Sequence, residues 1–304
     1  MQFILSKNST FVVIMDTILI ETTPWAKDYE LLDSGALMKL ERFGTQTLAR
    51  PEPQALWARS LDESQWRAAE ATFVRSGGED RGQWITTPRA KEQWWIEYGD
   101  IKFRLGLTAF KHVGVFPEQA ANWAFSQRAI RAMGVDHPEV LNMFAYTGGA
   151  SIAAAQAGAA VTHLDSVKAV NSWARENAEA SGVNDIRYIT DDALKFAERE
   201  VRRAKSYRGI ILDPPAYGRG ANGEKWILEE HLPRLLALCR TLLSESKGSF
   251  LVLNLYSMGF SALLAQTLVR QIFGTQCHIE CGELYANDSR GKQLPLGIFL
   301  RLTI

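Results

Sequence analysis

The sequence predicts an α/β protein in which a doubly wound, largely parallel sheet follows a small β-rich domain. Three observations predict it. From Val140 onward, short apolar runs alternate with longer amphipathic stretches, as in consecutive strand–helix units. Before about residue 110 the chain shows short β-like segments separated by turn residues instead. Finally, four short polar interruptions fall where an apolar strand gives out: Tyr146-Thr147-Gly148-Gly149, Asp165, Asp192 and Asp213-Pro214-Pro215-Ala216-Tyr217. In a doubly wound sheet those positions are where ligands bind.

Composition sets outer bounds. With 304 residues and 46% hydrophobic content the chain can bury a sizeable core, and its length suits a small domain over 1–110 and a larger one over 111–304. Its 34 basic and 34 acidic side chains cancel, so a nucleic-acid partner must be met by a local patch. Cys239, Cys277 and Cys281 are too few and too irregular for a disulfide framework or a zinc site, which points to a reducing cytoplasm and no metal. The run from Phe11 to Ile20 is broken by Asp16 and Thr17, too short to span a bilayer and unlike a targeting signal. It reads as a strand pair or as part of an atypical extension over 1–27, with no membrane partner.

In the first domain, strands are expected at Tyr29–Leu32, Leu37–Leu40, Thr45–Leu48 and Trp94–Tyr98, the last forming a hairpin through Gly99 with Ile101–Leu105. Seven of the nine tryptophans lie at or before Trp123, where they either fill a thin core or offer aromatic surface to stacked bases. A connecting helix starts near Pro117, since proline suits the first helical turn, and runs toward Gly134. Strands then follow at 140–145, 160–165, 186–190, 208–213 and 249–256, with a closing pair near 277–285 and 296–303. Helices fall between them at 149–157, 168–181, 192–204, from Trp226 to Leu243, and at 260–272.

The interruptions can be read chemically. Gly148 and Gly149 let backbone approach a ligand, although a tight turn explains two glycines as well; the G-x-G-x-x-G spacing of dinucleotide binders is absent. Asp165 ends the second strand, where a carboxylate accepts both hydroxyls of a ribose or caps the next helix. Asp192 ends the third, where it either accepts from an adenine amino group or caps the helix opening at Ala193. In Asp213-Pro214-Pro215, two fixed φ angles hold Asp213 rigidly at the strand's edge, able to orient an amino group, while Tyr217 can stack on a flat ring. In this order the signals read as an S-adenosylmethionine site with a reaction centre beside it.

From about Asp28 to the end, the chain resembles class I S-adenosylmethionine-dependent methyltransferases of the bacterial large-subunit (23S) rRNA type. The matching strings include Tyr29–Gly35, Lys39–Gly44, His112–Gln119, Leu141–Gly149, Trp173–Asn177 and Asp213–Gly220; residues 1–27 show no match. The resemblance implies a Rossmann-like seven-stranded sheet. It also implies that Asn142 and Tyr146, Thr147, Gly148 and Gly149 line the methionine end, with Phe116 and Gln119 closing that pocket. Asp165 then holds the ribose, Asp192 lies by the adenine, Lys168 matches a position often basic, and Asp213 with Pro214, Pro215 and Tyr217 faces the acceptor. Ser166-Val167 departs from the expected small-residue pattern.

A second departure bears on chemistry. Enzymes of this type that methylate cytosine C5 add a cysteine to the ring, and neither Asp213–Gly220 nor Val252–Ser257 contains one. A nitrogen or oxygen of an rRNA base is therefore the expected acceptor. Arg219, in the loop after Asp-Pro-Pro, is the candidate phosphate contact; the run Arg199, Arg202, Arg203, Lys205 and Arg208 reads as a solvated helix face. The alternatives are a methyltransferase for a small molecule or protein, favoured by zero net charge, and a cofactor-binding protein without turnover.

Overall fold

The computed structural model describes residues 19–22, 25–76, 82–220, 223–256 and 259–304. Its N-terminal third comprises β1 (Leu19–Glu21), β2 (Tyr29–Gly35), β3 (Met38–Phe43), β4 (Gln46–Pro51), α1 (Glu63–Arg67), β5 (Ala71–Arg75), β6 (Gly82–Thr86), β7 (Gln93–Tyr98) and β8 (Ile101–Gly106). A 3-10 turn at Pro117–Gln119 leads into α2 (Ala120–Ala132), β9 (Glu139–Met143), α3 (Gly149–Gln156), β10 (Ala160–Asp165), α4 (Lys168–Ala180), β11 (Ile186–Thr190) and α5 (Ala193–Arg202). The chain ends with β12 (Gly209–Leu212), β13 (Tyr217–Arg219), β14 (Lys225–Ile227), α6 (Leu228–Leu242), β15 (Phe250–Leu255), α7 (Ala262–Phe273), β16 (His278–Asn287) and β17 (Gln293–Thr303).

The large sheet runs β1-β16-β17-β15-β12-β9-β10-β11. Within it only β17 is antiparallel to its neighbours. Every residue of β12 and β15 is buried, as expected of strands covered by helices on both faces. From β9 the chain builds outward in both directions, through β10 and β11 on one side and β12 and β15 on the other. The carboxyl ends of β9 and β12 therefore flank the crevice at the topological switch point.

All seven strands expected in this sheet are present, and β1 adds an eighth by pairing parallel to β16. Glu21 in β1 pairs with the buried Arg301 of β17, which anchors this edge. Residues 11–18 of the run expected as a strand pair or extension lie outside the described residues. The helix expected from Trp226 begins at Leu228, because Lys225–Ile227 pairs with Tyr217–Arg219 as a short ribbon. Trp226 fixes that ribbon by donating its indole N–H to the Pro215 carbonyl at 2.7 Å.

The N-terminal sheet has the order β2-β3-β4-β5-β6, and the β7–β8 hairpin docks on α4. There Trp173 donates to the Arg104 carbonyl at 2.7 Å, and the Arg104 N–H donates to Asn177 Oδ1 at 2.8 Å. One apolar cluster runs through both regions, from Phe43 and Ile96 to Trp123, Val140 and Ile152. Trp25, Trp66, Trp94 and Trp123 are buried, the core-filling alternative, whereas Trp95 is exposed. Among the described residues no helix is long and apolar enough to cross a membrane.

Asp33 in β2 ties the two ends of the chain together. Fully buried, its carboxylate accepts from the Ser60 and Leu61 N–H groups, the Trp66 indole (3.0 Å) and Lys292 Nζ (2.8 Å) of the terminal hairpin. Burial alone would raise its pKa, but these donors, Lys292 first, outweigh burial and hold the carboxyl below its ordinary value. Asp33→Ala is expected to cost about 2–3 kcal/mol in urea denaturation, since it strands a cation and several buried donors. Because the folded-state pKa is depressed, this contribution is present above about pH 4 and is lost as pH falls through the folded value. Asp33→Asn should lack that acid-dependent step.

Candidate active site

The loop after β9 is held in an uncommon shape. Phe144 (φ 58°) and Tyr146 (φ 48°) both occupy the left-handed region, which costs about 1 kcal/mol or more per residue and persists only where surroundings enforce it. The enforcement is visible. Asp165 Oδ2 accepts the Tyr146 N–H at 3.0 Å, Thr147 donates to the Gly114 carbonyl at 2.6 Å, and Asn177 donates to the Thr147 carbonyl at 2.9 Å. Gly148, at φ 93°, caps α3, and a Cβ on Gly149 would lie 2.6 Å from the Trp123 ring. The second glycine thus permits close packing of α2 on α3 and is explained by the fold.

This loop lines a cleft at the switch point. Phe116, Gln119, Asn142, Tyr146, Thr147, Gly148, Gly149 and Asp213 all contribute to its walls. Asn142 also donates to Ser151 Oγ at 2.9 Å, which in turn meets His163 Nδ1 at 2.9 Å, so the floor rests on a buried polar chain. Phe144 also lines a second cleft over Asp165, Ser166, Asp192 and Ala193, covered by Pro215, Arg219 and Gly220. Asp165 Oδ1 accepts the Val167 N–H at 2.9 Å, and burial raises the carboxyl's pKa. Asp192 Oδ1 caps α5 by accepting the Lys195 N–H at 3.0 Å, and the residue also walls the second cleft.

Three expectations need adjustment. Lys168 is exposed in the first turn of α4 and lines neither cleft, the arrangement of an ordinary solvated lysine. Tyr217 is 55% exposed and also lines neither, because it opens the β13–β14 ribbon, which covers the second cleft with residues 218–220 and leaves the ring in solvent. Arg219 belongs to the Asp165–Asp192 side of the groove rather than to the mouth beside Asp213. Four of the five residues in the basic run have internal partners: Arg199 pairs with Asp191, Arg203 with Glu200, Lys205 with Glu139, and Arg208 donates to Ser249.

Asp213 has a partner that the motif did not announce. Asn254 of β15 donates Nδ2 to Asp213 Oδ1 at 2.6 Å, while its own Oδ1 is buried without a hydrogen-bond partner. Burial pushes the Asp213 carboxyl up to about 6, and the Asn254 bond opposes that rise. Pro214 is buried behind this pair, and Pro215 passes to the covering ribbon. The signal for Asn254 was a single amide within the apolar run Phe250–Leu255. Cys239, Cys277 and Cys281 are buried elsewhere, and none lines the groove.

Comparison with known proteins agrees with this geometry. A family model described as S-adenosylmethionine-dependent methyltransferase matches residues 44–272. The crystal structure of a SAM-dependent methyltransferase from Agrobacterium tumefaciens is 38% identical and superposes with a TM-score of 0.88 over 95% of this chain and 94% of its own. The crystal structure of SMU.776, solved with SAH bound, shares the fold at 18% identity, with a TM-score of 0.67 over 91% of this chain and 76% of its own. Ribosomal RNA large subunit methyltransferase K/L of Shewanella frigidimarina is 32% identical over 154 residues, 48% of this chain. The match spans only 20% of that larger protein.

The groove suits S-adenosylmethionine by its own lining. Two strand-terminal carboxylates, Asp165 and Asp192, able to accept from hydroxyl and amino groups, lie at one end, and the Tyr146–Gly149 loop lines the other.

Proposed function

This chain belongs to the S-adenosylmethionine-dependent methyltransferases, and we propose that it methylates a nitrogen or oxygen of a base in ribosomal RNA. The observation carrying this reading is the Asp213–Asn254 pair at the switch point. The Asp213 carboxylate, held by Asn254 at the end of a rigid strand, can accept a hydrogen of an amino, imino or hydroxyl group. No cysteine lies in that groove to add to a pyrimidine carbon, which favours direct attack over C5 chemistry.

When bound, S-adenosylmethionine supplies a methyl group made electrophilic by its own sulfonium charge. The chain's residues then have separable tasks. Asp165 and Asp192 receive the ribose and adenine, and Tyr146 to Gly149 enclose the methionine end. Asp213 accepts a hydrogen from the acceptor atom, aligns its lone pair, and takes the proton that atom sheds. Asn254 keeps the carboxylate oriented. The Pro214-Pro215 turn removes the freedom that would blur this alignment.

An RNA acceptor is supported by the K/L relative, whose name states large-subunit rRNA methylation, and it would place the work in the cytoplasm. The test is transfer of labelled methyl groups from S-adenosylmethionine into total RNA from a cell lacking this protein. Label in ribosomal RNA, released on digestion as an N- or O-methylated nucleoside, is the expected outcome. Label at C5 of cytosine would overturn the proposed chemistry. No label, from protein whose melting temperature still rises with S-adenosylmethionine, would redirect the search to a small-molecule or protein acceptor.

A further inference from the structure

Beside the Asp213 cleft lies another, narrower one, where the N-terminal sheet meets the segment from Lys111 to Glu118. Val115 and Phe116 line both, so the two spaces adjoin. Across from this segment stand Lys39 of β3, Arg50 of β4, Glu52, and Tyr256 just beyond β15. An aromatic wall joins the two spaces, with the Phe116 ring centroid 5.4 Å from that of Tyr146 and 5.2 Å from that of His112. Burial, with Lys111, Arg50 and Lys39 nearby, pushes His112 down to about 3, so this ring is neutral.

The charges here are largely matched. Arg50 pairs with the buried Glu41 at 2.7 Å, and Tyr29 donates to the same carboxylate at 3.0 Å. Lys39 lies 3.4 Å from Glu52, which also accepts the Tyr256 hydroxyl at 3.0 Å. A phosphate entering this space would meet cations whose charge is already answered, whereas a neutral ring could lie against the aromatic wall. Glu118 differs from its neighbours. Half-buried, it makes no ion pair and no side-chain hydrogen bond to another of the described residues, and it is near enough to Asp213 to feel that charge. Burial, aided by Glu41 and Asp213 against Lys39, pushes its carboxyl up to about 7.

We propose that this junction cleft receives the acceptor base, and that Glu118 is a positioning residue that hydrogen-bonds a donor on the base's edge while Asp213 holds the reacting atom. The inference rests on the RNA reading above and deepens it. It assigns base recognition jointly to the N-terminal domain and the 111–118 segment, and it requires a base presenting an N–H at its pairing edge.

The test is equilibrium binding, with no methyl transfer involved. Fluorescent homohexamers of A, C, G and U and an abasic RNA hexamer are titrated by anisotropy against full-length protein saturated with SAH, at constant salt. The best homohexamer should bind wild type about tenfold more tightly than the abasic one, the size expected for one stacked, hydrogen-bonded base. Glu118→Ala should cut that preference to about threefold or less, the remainder being stacking, without changing abasic affinity, and a preserved rise in melting temperature with SAH shows that the variant is folded.

In wild type the preference should grow between pH 6 and 8, because the ionised carboxyl is the better acceptor. Glu118→Gln should keep most of the preference and lose its pH dependence. A tenfold preference surviving in Glu118→Ala would overturn the assignment. Equal binding of base-bearing and abasic hexamers by wild type would overturn the subsite while leaving RNA binding intact. Binding to no hexamer, together with no label in total RNA, would overturn the RNA reading itself and the subsite with it.

Discussion

Asp213→Ala should lower single-turnover methyl transfer by about 10²- to 10⁴-fold while changing cofactor affinity by no more than about threefold. The asymmetry follows from placement. Asp213 follows β12 with Asn254 as its bonded partner, whereas ribose and adenine are proposed to lie past Phe144, at Asp165 and Asp192. A residue that acts only as the acceptor atom is aligned affects the rate rather than cofactor affinity. Equal loss of both properties would refute this division of labour. The same site predicts a pH profile: with a carboxyl pushed up to about 6, the charged form dominates only above that value, so the rate rises with pH and then levels. The positive charge of a bound sulfonium favours the carboxylate and can only move the limb lower. Asn254→Ala removes a donor to the carboxylate and should move it higher.

The sequence disclosed this arrangement unevenly, for physical reasons. Strand positions from Val140 onward were legible because parallel strands covered on both faces must be continuously apolar, and because each ends at a polar residue. Asp165 and Asp213 stood out for that reason. What could not be read was anything depending on contact between distant strands. Asn254 lies 41 residues from Asp213, and Glu118 comes near enough to feel its charge from a segment outside the sheet; proximity of this kind is set by strand order, not by spacing. Tyr217 shows the opposite error. Its place in a suggestive motif implied a stacking role, but pairing of Tyr217–Arg219 with Lys225–Ile227 turned it outward. The run ending at Ile20 was readable as β, but nothing in it announced the pairing of β1 with β16, since three residues on an edge give no periodicity.

Asp165→Ala should weaken S-adenosylmethionine binding by about 10²-fold or more, measured by calorimetry, and the reason is structural as well as chemical. The carboxylate accepts the Tyr146 N–H at 3.0 Å and the Val167 N–H at 2.9 Å, so it fixes both the loop around the methionine end and the start of α4. Without it, Tyr146 loses the bond that helps hold its left-handed backbone, and the loop can relax away from the ligand. Asp165→Asn separates the two contributions. An amide keeps one oxygen for a backbone donor but gives up the negative charge and an acceptor for the ribose hydroxyls, so it should fall between wild type and alanine. Were the residue merely a helix cap, both variants would lower the melting temperature and leave affinity in the folded protein unchanged. Affinity falling in the order Asp, Asn, Ala, with melting temperatures of the unliganded proteins staying close, would show that this carboxylate works chiefly on the cofactor.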